Sequence, residues 1–113
     1  MAAVYVSNLV INTGSTFSQT FTLEATDTNS PMNLTGYTVA SQMRKWAGAS
    51  KATDFTAEIG SPATDGKITL GIGATVTADL KPGRYVYDVV VDISGTKETV
   101  VEGTVIVREG VTR

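Results

Sequence analysis

At 113 residues the chain has the length of one domain, able to bury roughly two thirds of its unfolded surface around a single core. Its net charge of −2 leaves no basic field to attract phosphate backbones or an anionic bilayer, so nucleic acid and membrane surfaces are not expected partners. Neither cysteine nor histidine occurs, which removes disulfides, thiolate nucleophiles, imidazole bases and the usual zinc ligands together. Only 18% of residues are charged against 42% hydrophobic, a balance that favours a surface resting against neighbours, as a homo-oligomer or in a multi-copy assembly. Met1 to Val10 carries no basic segment and no long apolar run, and nothing later approaches about 18 apolar residues, so neither a secretion signal nor a membrane helix is expected.

Alternation of apolar and polar residues dominates the chain from its start, and period-2 patterning reads as strands. In the first strand Tyr5, Leu9 and Ile11 share one parity while Val4, Val6 and Val10 share the other. Such a strand is either covered on both faces or changes partners between sheets. A second strand alternates Phe17, Gln19, Phe21, Leu23 and Ala25 with Thr16, Ser18, Thr20, Thr22 and Glu24, which predicts an aromatic inner face. Thr26 to Gly36, rich in Asp, Asn, Ser, Pro and Gly, is a loop.

Tyr37, Val39, Ser41 and Met43 then face one way from a third strand, with Thr38, Ala40, Gln42, Arg44 and Trp46 on the other side. Phe55, Ala57 and Ile59 pair in a hairpin with Ile68, Leu70 and Ile72 across a turn over residues 60–66. One short helical turn is expected near 74–80, where Val76 and Leu80 are spaced i, i+4 ahead of the Lys81-Pro82-Gly83 stop. Tyr85, Tyr87, Val89, Val91 and Ile93 form the inner face of the strongest strand. Ser94 to Thr96 turns that strand into a last one carrying Val101, Gly103, Val105 and Val107. About seven antiparallel strands in one domain spanning 1–113 predict an all-β fold, an immunoglobulin-like β-sandwich.

The candidate chemistry is sparse. Asp88 and Glu102 approach each other across the last hairpin, and two carboxylates are the minimum for glycosidase-type acid and base work. The plainer reading makes them solvent-facing charges opposite Arg84, Arg44 or Arg108. Asp27, Asn29, Asp65 and Asp79 offer oxygen ligands in loops, without the spacing of a known calcium loop. Gly71 and Gly73 form a GxG lacking the third glycine and helix of a dinucleotide-binding turn. No catalytic residue, metal or cofactor is therefore expected. Trp46, beside Arg44 and Lys45, reads as an interface anchor, or with Tyr5 and Tyr37 as an aromatic platform for sugar. Val86, Val90, Val100 and Ile106 stand on the face opposite the core, and with Trp46 they make the predicted interface patch.

Four stretches carry a family resemblance. They are NLTGYTVASQMRK (Asn33 to Lys45), DGKITL (Asp65 to Leu70), LKPGRYVYDVVV (Leu80 to Val91) and VVEGTVIVREGVTR (Val100 to Arg113). From about Gly14 onward the chain resembles small structural proteins of tailed bacteriophages, especially those of cyanophages. It is similar, more distantly, to the N-terminal domain of upper baseplate proteins of lactococcal-type phages, which anchors a receptor-binding arm to the tail. The resemblance implies a non-enzymatic virion component assembled in the host cytoplasm: an adaptor in the tail or baseplate, or a decoration or cement protein on the capsid. Its partners would be other virion proteins. The chain ends at Arg113, with no coiled-coil or fibre segment after the predicted sandwich, so receptor recognition is expected on a separate protein. The rival expectation is a glycan-binding adhesion module on the virion surface.

Overall fold

The computed structural model describes residues 5–24 and 31–111. Val4, Ala25, loop residues 26–30, which include Asp27 and Asn29, and the last two residues lie outside them. In chain order the elements are β1 (Tyr5–Val6), β2 (Leu9–Asn12), β3 (Phe17–Thr22), β4 (Thr38–Arg44), β5 (Lys51–Ile59), a 3₁₀ turn (Ala63–Asp65), β6 (Lys67–Ile72), α1 (Ala74–Ala78), β7 (Gly83–Ile93) and β8 (Thr96–Arg108).

The all-β expectation holds at the level of class, but an immunoglobulin-like sandwich is not confirmed. The strands form one sheet in the order β1-β8-β7-β4-β5-β6-β3, with β2 also on β8, curled into a half-barrel. The curl arises at β5, which changes partner along its length: residues Ser41 to Arg44 of β4 pair with its first half as far as Phe55, and β6 pairs with Thr56 to Ile59. A register irregularity between Met43 and Arg44 adds local twist to the same strand pair. One long strand thus serves both halves of the curl, where a sandwich would use two separate edges.

The period-2 patterns fix which face turns inward. Tyr85, Tyr87, Val89 and Val91 of β7 are all buried, as are Ile68, Leu70 and Ile72 of β6 and Val105 and Val107 of β8. The Phe55 ring meets Phe17 at 5.9 Å and Tyr87 at 5.8 Å between centroids, so the aromatic centre of the core is drawn from three strands. The β7–β8 hairpin closes on Ser94 and Gly95, with φ of 52° and 85°, and the Gly95 N–H donates to Asp92 Oδ1 at 3.0 Å.

The first strand resolves to one inner face: Leu9 and Ile11 are buried, while Val6 and Val10 point outward. Both β1 and β2 run parallel to β8, so the N-terminus forms an edge strand beside the chain's last one. Ser7 and Asn8 break that edge. Asn8 Oδ1 accepts from both the backbone N–H and the hydroxyl of Thr104, at 3.2 and 2.9 Å, repairing the ladder with a side chain. The Ser7 carbonyl lies so close over Gly103 that a Cβ there would overlap it. Tyr87 reaches the same carbonyl from below, its hydroxyl donating at 2.7 Å.

The short helix forms where expected, but Val76 is exposed and Thr77 is the residue that anchors it. The Thr77 hydroxyl donates to Ser15 O at 2.8 Å and accepts the Gly14 N–H at 3.1 Å, tying α1 to the β2–β3 turn.

Candidate functional site

Alternation leaves β4, β7 and β8 with a shared outer face. Its cross-strand rows can be read from the register: Arg44 beside Val86 and Val86 beside Thr104; Gln42 beside Asp88 and Asp88 beside Glu102; Ala40 beside Val90. Beyond β8, Val6 follows Glu102 and Val10 follows Ile106. Of the five residues predicted to form an interface patch, Trp46 is 63% exposed, Ile106 is 38% exposed, and Val86 and Val90 are half-buried on this face.

Val100 is a correction. It is fully buried, with Val101 beside it. The register of β7 with β8 shifts between Val89 and Val90, where Val89 pairs with Val101 but Val90 pairs with Thr99. Val100 is the extra residue of that β-bulge. The bulge turns two consecutive valines toward the core and reverses the parity of everything before it in β8. The exposed apolar positions are instead completed by Val6 and Val10 on the edge strand, 75% and 49% exposed.

The outer face is not flat. A groove of about 610 Å³ runs across it, lined by Val86, Asp88, Glu102 and Thr104, with Arg44 and Trp46 on one side and Val6 on the other. A smaller depression of about 380 Å³ continues along Ala40, Val90 and Asp92, sharing Gln42 and Asp88 with the first. The wall at Trp46 is built by the β4–β5 turn, in which the Ala49 N–H donates to Trp46 O at 2.9 Å. Arg44 braces it, donating to the Ala49 carbonyl and, at 2.8 Å, to Gln42 Oε1. Behind the turn, Lys45 Nζ lies 4.6 Å from the centre of the Tyr85 ring, a cation–π contact that holds the end of β4 onto β7.

Asp88 and Glu102 are directly opposite in register, as the hairpin predicted. The arginines expected to face them do not pair with them. Arg44 is committed to Ala49 and Gln42, Arg84 stands opposite Ile106, and the ion pair formed among the described residues is Lys51 with Asp54 at 2.9 Å. Two carboxylates therefore sit opposite each other on the groove floor, and among the described residues neither forms an ion pair.

The remaining candidates do not assemble. Asp65 ends the 3₁₀ turn and Asp79 caps α1, and among the described residues no group of three or more acidic or other ligating side chains is placed to hold a metal. Gly71 is an ordinary β6 residue paired with Ser18 and Thr56, and Gly73 precedes α1. Tyr5 and Tyr37 pack against the core, the Tyr5 hydroxyl accepting the Glu24 N–H at 3.0 Å, so they form no platform with Trp46. Among the described residues no helix is long and apolar enough to cross a membrane.

No protein-family model matches the chain, and no curated protein does. Among solved structures, InlP from Listeria monocytogenes superposes with a TM-score of 0.50 at 17% identity over 90% of this chain. A family 123 glycoside hydrolase from Clostridium perfringens gives 0.47 at 11% identity over 96% of it. The chain spans about a quarter of each, 26% and 24% of their lengths, and its similarity to InlP is one of fold.

Proposed function

We propose that this domain is a non-enzymatic structural component of a bacteriophage virion, present in many copies and docking another tail, baseplate or capsid protein through its outer face. The observation that carries the reading is the grouping of outward apolar residues on one face: Trp46 at the groove, Val6 and Val10 on the edge strand, and Ile106 beside Val10. Scattered single exposures are ordinary, whereas a grouped set containing an indole is the pattern of an interface with an aromatic anchor. The low charge content agrees with this, and so does a rigid, already folded scaffold, because little ordering cost is added on association. The resemblance of the Leu80 to Val91 and Val100 to Arg113 stretches to tailed-phage proteins supplies the virion context. In this reading the two halves of the curled sheet, facing across Phe17, Phe55 and Tyr87, do the work of the two layers of a sandwich.

The test is to measure the mass of the purified chain by light scattering and then its capture of purified virion proteins, identified by mass spectrometry, beside Trp46→Ala and Ile106→Asp variants. Docking predicts a discrete oligomer or a defined complex, weakened at least about thirtyfold by Trp46→Ala, the factor for a 2 kcal/mol anchor. The second reading is glycan binding on the virion surface, favoured by the exposed indole beside the polar Gln42 and Thr104. A glycan array bound through Trp46, with no protein captured, would establish that reading in place of docking.

A further inference from the structure

We infer that the groove recognises a basic side chain, a lysine or arginine projecting from the docked protein; this rests on the docking reading and names the chemistry of the partner. Three separate features of the outer face converge on it. The groove is an open depression with an exposed indole at its side and Val86 on its floor. Asp88 and Glu102 stand opposite each other on that floor, an unfavourable cross-strand placement for like charges. Arg44 also lines the groove, but its guanidinium is engaged with Ala49 O and Gln42 Oε1, and among the described residues it forms no ion pair with either carboxylate.

A long cationic side chain satisfies all three. Its methylene stem lies along Val86, its charge meets the two carboxylates, and its approach passes the face of Trp46, where a cation is attracted by the ring. A neutral sugar would stack on the indole and hydrogen-bond to Gln42 and Thr104, but it would leave the paired negative charges as they are. An acidic peptide would be repelled. The carboxylate pair thus acts as the specificity element of the groove, and Trp46 as its general anchor.

The chain's single tryptophan makes the test direct. The Trp46 indole N–H resonance of nitrogen-15-labelled protein is followed during titration with a five-residue peptide, capped at both ends, bearing one central lysine. The arginine and glutamate versions and a panel of soluble oligosaccharides are run beside it. The expected result is a saturable shift with the lysine and arginine peptides and none with the glutamate peptide. Affinity should fall severalfold between low and high salt, and at least tenfold in a D88N/E102Q double variant that melts no lower than the wild type. Silence toward both basic peptides, or an undiminished shift in the double variant, overturns the inference. A response to an oligosaccharide alone overturns it in favour of glycan recognition. The docking reading is judged separately: protein capture that depends on Trp46 while the basic peptides are silent leaves docking standing and removes only the basic side chain.

Discussion

Val100→Ala and Val86→Ala are the same substitution on paired strands, and the bulge in β8 makes their costs differ. Val100 is fully buried, so its two methyl groups lose about 0.8 kcal/mol each in transfer, and the unfilled space adds about 1 kcal/mol. The total is about 2–3 kcal/mol. Val86 is half-buried and opens onto the groove, so truncation leaves no enclosed cavity and removes about half the transfer term, roughly 0.8 kcal/mol. Loss of strand propensity is common to both and cancels in the comparison. The difference of about 2 kcal/mol corresponds to roughly 8 °C in Tm for a domain of this size. Urea and thermal unfolding of the two variants, with unchanged m-values, is the assay. Strict alternation through β8 would put Val100 on the same outer face as Val86, opposite Val90; equal losses in the two variants would therefore refute the bulge and the inward turn of Val100.

Other consequences follow from the packing of the edge strand and the groove floor. Gly103→Ala places a methyl group against the backbone carbonyl of Ser7, which has no flexible side chain to yield, and should cost about 3 kcal/mol with loss of hydrogen-exchange protection in β2. Tyr87 is raised above its ordinary pKa of 10.0 by burial, offset in part by the Ser7 side chain. Because the folded-state value is the higher one, this contribution is complete below about pH 10 and is lost as pH rises beyond it. Tyr87→Phe should thus cost about 1 kcal/mol at neutral pH, from the lost hydrogen bond, yet flatten the alkaline decline of Tm between pH 9 and 12 on the order-of-magnitude scale of one such group. Glu102→Gln removes the repulsion with Asp88 and should stabilise the free domain by about 0.5 kcal/mol in urea titration at low salt, a gain that shrinks as salt rises.

Alternation made much of the fold legible. Tyr85 to Val91 and Ile68 to Ile72 show unbroken period 2 in strands that pair by short connections, and their inner faces follow directly. The features that escaped are those in which distant residues decide the outcome. Nothing local in Tyr5 to Asn12 tells it to lie parallel to a strand about a hundred residues later, because parallel partners share no turn. Half of β5 pairs forward and half backward, which made a curled sheet from a strand count that suits a sandwich. Parity alone places Val100 outward, and only the pairing with β7 reveals the inserted residue. Gly103 carries a local signal of a different kind: a glycine inside a strand marks a place where another backbone, here that of Ser7, comes close. Of the candidate site, Trp46 and the Asp88–Glu102 juxtaposition were readable from spacing, while the groove required knowing that Arg44 turns toward Ala49 and that Val6 lies across β8.

Docking through the outer face is tested most directly by quantifying the virion proteins captured by the wild-type domain against Trp46→Ala and Ile106→Asp, each first shown to melt like the wild type. The account predicts that an identified tail, baseplate or capsid protein is retained by the wild type and falls at least about thirtyfold with Trp46→Ala. Equal retention by all three proteins would contradict it.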